Sequence, residues 1–249
     1  MPSFSTQERT TLLNYLLELA QADDRVSGGA LVGSYSDDKQ DEWSDLDISF
    51  GIADGIDHAA VLNEWTLALQ GDFEVAHHFD VRSGRAIYRV ILFTNGLELD
   101  LSVVPESEFG PKAPSFKLLF GKALGAKEAT TLPTETLFGW GWHHVLHANA
   151  AIHRQRYWFA EYWITSLRHH LIALKCESLG LPTAHSRGAD QLPEKHQAAL
   201  ENTLIASLKQ EHLKHSLKAI SELLTDEIRL KDPELANRLS GVFEMAFNG

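Results

Sequence analysis

Asp45 and Asp47 flank Leu46 in the run DLDISF. On a β-strand, alternate side chains point to the same face. Asp45, Asp47 and Ser49 therefore share one face, and Leu46, Ile48 and Phe50 face the other way, toward a core. Two carboxylates side by side repel each other and gain nothing from packing. A hard divalent cation such as Mg2+ offsets that repulsion, because it takes oxygen ligands and commonly bridges to substrate phosphates. Upstream, an apolar run ends in Gly33-Ser34, where backbone and a hydroxyl can approach a phosphate closely. Ser44 precedes the aspartates and offers a second hydroxyl. An isolated Asp-x-Asp is ordinarily a solvated strand face, so the reading needs a third carboxylate.

That carboxylate has to come from another strand. Two β-rich runs, AIYRVILF and LELDLSVV, flank Thr94-Asn95-Gly96, and Asn-Gly is a favoured hairpin turn. In the second run Leu97, Leu99, Leu101 and Val103 share a face, with Glu98, Asp100 and Ser102 on the other. Asp100 and Glu98 are both acids on a strand whose opposite face is apolar.

The elements that must position these residues follow in order. Ser5-x-x-Glu8 has the form of a capping box and opens a helix to about Ala22, with Leu12, Leu13, Leu16, Leu17 and Ala20 at helical spacing. Asp57 caps a second helix reaching about Leu69, and a poorly patterned strand is placed over residues 73–79. After Pro105, Gly110-Pro111 and Leu132-Pro133 punctuate a connecting region. Beyond Thr134 the chain reads helical, and the domain boundary is placed near residue 133: 1–133 and 134–249. One helix there carries the stripe Ala160, Ile164, Leu167, Leu171 and Leu174, with Glu161 at its margin, and stops at Gly180-Leu-Pro182. A polar loop with His185, Ser186, Arg187 and Asp190 follows. Further helices are expected over about 194–210, 211–230 and 233–247.

Composition narrows the classes. A net charge of -12 argues against a general nucleic-acid binder. Cys176 is the only cysteine, so no intrachain disulfide can form. No signal peptide pattern and no apolar run of spanning length is present, so a cytoplasmic location and no membrane partner are expected. Thirteen histidines include His143 and His147 at helical spacing and the pairs His77-His78 and His169-His170. No cysteine cluster or H-E-x-x-H accompanies them, so scattered or surface histidines are expected rather than zinc ligands. Walker A, Rossmann and Gly-x-Ser-x-Gly patterns are absent from the sequence.

The order apolar residue, Gly33-Ser34, Asp45-x-Asp47, then Asp100 resembles the nucleotidyltransferase superfamily that includes DNA polymerase beta. Glu98 competes for the third place, but Leu99-Asp100-Leu101 fits the family pattern better. With the helical part after residue 133, the chain is similar in plan to the aminoglycoside adenylyltransferases. The run YRVILFTNGLELDLSVVP is similar to their hairpin, and Ala160-Glu161-Tyr162 to their base-bearing helix. The resemblance implies an α+β fold: an N-terminal catalytic domain with a mixed β-sheet and flanking helices, then an all-α bundle. It implies transfer of AMP from ATP to a hydroxyl of a small, cationic, aminoglycoside-type acceptor, and so antibiotic resistance. Asp45 and Asp47 would hold Mg2+, with two ions expected, and Asp100 would complete a second metal site or orient the acceptor. Gly33, Ser34, Ser44 and Arg187 would bind the nucleotide, Arg168 or Lys175 being weaker candidates, and Glu161 would be the base. A protein or other non-antibiotic acceptor and a non-catalytic nucleotide-binding module stay open, as does the oligomeric state.

Overall fold

The computed structural model describes residues 4–33, 40–112, 115–125 and 133–248. The chain divides into two compact units, Met1–Thr130 and Thr131–Gly249. The fold is α+β, as the resemblance implied.

In the first unit, helix α1 (Thr6–Gln21) starts at the expected capping box: the Ser5 hydroxyl accepts from the Glu8 N–H, and the Glu8 carboxylate accepts from the Ser5 N–H. Strands β1 (Val26–Val32) and β2 (Leu46–Ile52) follow. Helix α2 (His58–Asp72) is capped by the Asp57 carboxylate, which accepts from the Ala59 N–H at 2.9 Å. Then come β3 (Val75–Ser83), β4 (Ala86–Phe93), β5 (Glu98–Pro105) and β6 (Phe116–Gly121). The six strands form one mixed sheet in the order β3-β4-β5-β2-β1-β6. Only β2 and β5 run parallel; the other neighbours are antiparallel.

One face of the sheet carries the core. Leu46, Ile48 and Phe50 of β2 and Leu99, Leu101 and Val103 of β5 are fully buried there. They pack with Leu12, Leu16 and Ala20 of α1 and with Val61, Leu62, Trp65 and Leu69 of α2. The hairpin turn at Asn95-Gly96 joins β4 to β5 as expected, and the Asn95 side-chain oxygen accepts from the Leu97 N–H at 3.1 Å.

Two expectations are corrected. The connecting region after Pro105 contains β6, which pairs with β1; at Gly29 the two strands approach so closely that a Cβ would lie 2.5 Å from the Phe120 ring. The sheet pairing, not local pattern, makes this strand. In the second unit, the helix expected over 194–210 ends at Glu201.

That unit comprises α3 (Thr134–His153), α4 (Tyr157–Ser178), α5 (Glu194–Glu201), α6 (Gln210–Lys231) and α7 (Pro233–Asn248). Ala160, Ile164, Leu167, Leu171 and Leu174 of α4 are buried in its core, as their spacing predicted. Helix α4 closes with the Leu181 N–H donating to the Cys176 carbonyl at 2.9 Å and the Gly180 N–H to Glu177 at 3.2 Å. Gly180 holds φ +67°, which completes a Schellman motif. Among the described residues, no helix is long and apolar enough to cross a membrane.

Candidate active site

The parallel pairing of β2 with β5 builds the site. Leu46 lies opposite Leu99, Asp47 opposite Asp100 and Ser49 opposite Ser102. Both strands alternate in phase, so the apolar residues of both enter the core and the acids of both emerge on the other face. One residue upstream of Leu46 and Leu99 stand Asp45 and Glu98. Asp45, Glu98 and Asp100 each bring a carboxylate oxygen within 4.8 Å of the others. The structure thus joins to Asp45 and Asp100 the acid that the family pattern ranked second.

Asp47 is turned differently. Its carboxylate lies against Gly33, where a Cβ would meet Asp47 Oδ2 at 2.0 Å. Gly33 has φ +63°, a conformation that L side chains rarely adopt, so both its backbone angle and its lack of a side chain are needed here. Ser34, paired with Gly33 in the sequence reading, lies outside the described residues.

Asp100 is half-buried, and burial pushes its carboxyl above the usual carboxylate range, with the charges of Glu98 and Asp45 adding to the effect. Its Oδ1 is buried and has no hydrogen-bond partner among the described residues. An acceptor stripped of water and of donors, beside two further carboxylates, is the donor set that a hard divalent cation satisfies. These residues therefore fit Mg2+.

The turn before Asp45 is held from two sides. The Ser44 hydroxyl donates to the Asp41 carboxylate at 3.0 Å and accepts from the Asp41 N–H at 2.9 Å, so this side chain closes the turn. Beneath it, Arg9 of α1 donates to the carbonyls of Asp41, at 2.9 Å, and Ser44. Arg9 was not singled out from the sequence. The signal is its register with Leu12, Leu16 and Ala20, the buried stripe of α1, where an arginine has no apolar reason to be.

The remaining candidates lie in the second unit. The Glu161 carboxylate accepts from the Thr165 hydroxyl at 2.7 Å. Arg168 donates to the Thr203 hydroxyl at 2.9 Å and to its carbonyl at 2.6 Å. Lys175 is buried and paired with Glu227. Both cations thus have partners within the helical unit. Arg187 is exposed, after the 3-10 turn Ala184–Ser186.

Four of the thirteen histidines depart from the expectation of scattered or surface positions. His143, His144 and His147 of α3 gather with His170 and Trp163 of α4; ring centroids are 4.2 Å apart for His143–His147 and 5.0 Å for His144–His170. Burial holds His144 and His170 below the ordinary histidine range. Among the described residues, the only group of three or more acids, histidines or cysteines close enough to share an ion is the carboxylate one.

The first unit is therefore an α+β sheet presenting a carboxylate group suited to a divalent cation. No protein-family model matches the chain, and no curated protein matches it in sequence. Among solved structures it is similar to an aminoglycoside 6-adenyltransferase from Bacillus subtilis, at 16% identity and a TM-score of 0.42, over 95% of this chain and 97% of that one. It is also similar to the Elizabethkingia meningoseptica CdnE cyclic dinucleotide synthase, solved with GTP and Apcpp, at 14% identity and a TM-score of 0.31, over 90% of this chain and 78% of that one. At these scores no residue-by-residue correspondence follows.

Proposed function

We propose that this chain is a Mg2+-dependent nucleotidyltransferase that moves AMP from ATP to a hydroxyl of a small acceptor of the aminoglycoside antibiotic type. The observation that carries this reading is the parallel β2–β5 pairing. It pairs Asp47 with Asp100, brings the carboxylates of Asp45, Glu98 and Asp100 together, and leaves Asp100 Oδ1 buried without a hydrogen-bond partner among the described residues. Asp45, Asp47 and Asp100 are assigned to hold Mg2+, two ions in all, and Glu98 joins the set. Held by these carboxylates, the metal would supply charge neutralisation for the triphosphate and for the attacking and leaving oxygens.

In the reaction, the acceptor oxygen bonds to the α-phosphorus of ATP, the bond to the bridging oxygen breaks, and pyrophosphate leaves. Glu161 is assigned, on the family resemblance, to take the hydroxyl proton, a role worth roughly 10²–10⁴-fold in rate. Gly33 and Ser34 would offer backbone and hydroxyl to phosphate, and Ser44 would act by holding its turn. The exposed Arg187 guanidinium suits a phosphate oxygen. A net charge of -12 favours a cationic acceptor, and AMP on an antibiotic hydroxyl would confer resistance.

The test is pyrophosphate release from ATP and Mg2+ across a panel of aminoglycosides and lincosamides, with a no-acceptor control. Release that depends on one aminoglycoside, with an acceptor mass gain of one AMP, supports the reading. Release only with another acceptor class overturns the substrate assignment. ATP binding that neither requires nor responds to Mg2+ overturns the metal-site assignment itself.

A further inference from the structure

Arg9 is 1% exposed, on the same buried stripe of α1 as Leu12, Leu16 and Ala20. A guanidinium in an apolar register is costly unless its donors find acceptors. Two of its nitrogens end on main-chain carbonyls: Nη2 on Asp41 at 2.9 Å, and Nη1 on Ser44. The turn they hold is otherwise open to water. Asp41, Glu42 and Trp43 are exposed, Trp43 by 62%. Asp45, the first carboxylate of the group, is the next residue along the chain.

We infer that Arg9 is a positioning residue for the metal group: its guanidinium fixes the 41–44 turn, and through it the place from which Asp45 presents its carboxylate. Two carbonyls that must be held together suit the planar, forked donors of arginine, whereas a lysine ammonium offers a single charged point. Two of its bonds go to main-chain carbonyls and so survive changes in the turn's own side chains, and its charge also acts on the Asp41 carboxylate of the same turn. This inference rests on the reading that Asp45 helps to hold a divalent cation. If Arg9 served only the core of α1, its loss would lower stability and leave the metal affinity of the folded chain unchanged.

The experiment measures Mn2+ binding to the full chain by the loss of the free-ion EPR signal, without nucleotide, with folding followed by circular dichroism. The set is wild type, Arg9→Lys, Arg9→Met, Leu12→Ala and Asp45→Asn. Outer-shell partners of metal ligands typically set affinity by about 10- to 100-fold, so Arg9→Met should weaken Mn2+ binding by about 10-fold or more, and Arg9→Lys by less. Leu12→Ala loosens the same helix without touching the turn and should bind Mn2+ as wild type does. If Arg9→Met does not fold, Arg9→Lys decides by itself, and wild-type affinity in it overturns the inference. Wild-type affinity in folded Arg9→Met, with binding weakened in Asp45→Asn, overturns Arg9's role and leaves the metal site standing. Undiminished binding in Asp45→Asn overturns the metal reading beneath it.

Discussion

Replacing Asp100 by Asn removes one charge from a group of like charges while nearly keeping its shape. In the absence of a divalent cation this should stabilise the fold. The sign follows from the raised pKa. The folded-state value lies above the unfolded one, so the fold prefers protonated Asp100; stability falls as pH rises from about 4 through the raised value, and above that value the penalty is complete. Two unit charges 4.8 Å apart repel by roughly 0.9 kcal/mol in water and roughly 3.5 kcal/mol at an effective dielectric constant of 20. Glu98 is exposed and Asp45 partly so, which places each pair toward the lower figure. A gain of about 1–2 kcal/mol for Asp100→Asn follows, or roughly 2–8 °C in Tm for a chain of this size. Mg2+ should reverse the comparison. At about ten times its Kd, a bound ion adds roughly 1.4 kcal/mol to wild type, and the variant should gain much less. Thermal melts by circular dichroism in EDTA and in millimolar MgCl2 read both effects. A variant less stable than wild type in EDTA would show that the carboxylate makes a favourable contact, and equal Mg2+ shifts in the two proteins would remove Asp100 as a ligand.

Three further outcomes are expected. Gly33→Ala places a Cβ 2.0 Å from Asp47 Oδ2 at a left-handed φ, so Asp47 must move; the strain should cost roughly 1–2 kcal/mol in urea unfolding and abolish turnover. Retained turnover would dissociate Asp47 from the chemistry. Glu161→Gln should lower turnover by roughly 10²–10⁴-fold while ATP binding, followed by calorimetry, persists; unchanged turnover removes it as the base. Asp23 accepts from Arg25 and from Trp65 Nε1, and the Arg25 hydrogen bonds above all draw its carboxyl down to about 2. A depressed folded value contributes stability that is complete above the unfolded value near 4 and is lost as pH falls through about 2. Asp23→Asn should therefore be less stable at neutral pH and show a shallower loss over that acid window in pH-dependent urea titrations.

Local chemistry was legible wherever the signal was local. The capping box at Ser5, the Asn95-Gly96 hairpin, the alternation of β5 and the stop at Gly180 each depend on residues within a few positions, and each forms as its sequence indicates. Strand β6 depends instead on partners some ninety residues earlier in β1, and its own run FKLLFG does not alternate. Helix α5 ends at Glu201, just before Thr203, whose carbonyl and hydroxyl accept from Arg168, a contact no helical periodicity announces. At the site, alternation placed Asp45, Asp47, Glu98 and Asp100 on outward faces. It could not say that Asp47 would turn to Gly33 while Glu98 joined the other two, since rotamers and cross-strand register decide that. Arg9 escaped because helical patterning counts an arginine as polar surface.

The two faces of the β2–β5 pair oppose each other energetically. The outward face sets like charges together and leaves Asp100 Oδ1 without a hydrogen-bond partner among the described residues, an arrangement that weakens the free fold. Directly behind those acids, six large apolar side chains, Leu46, Ile48, Phe50, Leu99, Leu101 and Val103, are fully buried. Each contributes roughly 1.5–3 kcal/mol of burial, which exceeds the repulsion expected across the group. The strain is thus carried by the part of the sheet most able to hold it, and Arg9 holds the carbonyls of the turn that leads into Asp45, the carboxylate just outside the strand. An arrangement retained at a cost to the free fold makes sense when something binds to it, and a divalent cation is the ligand that converts this repulsion into attraction.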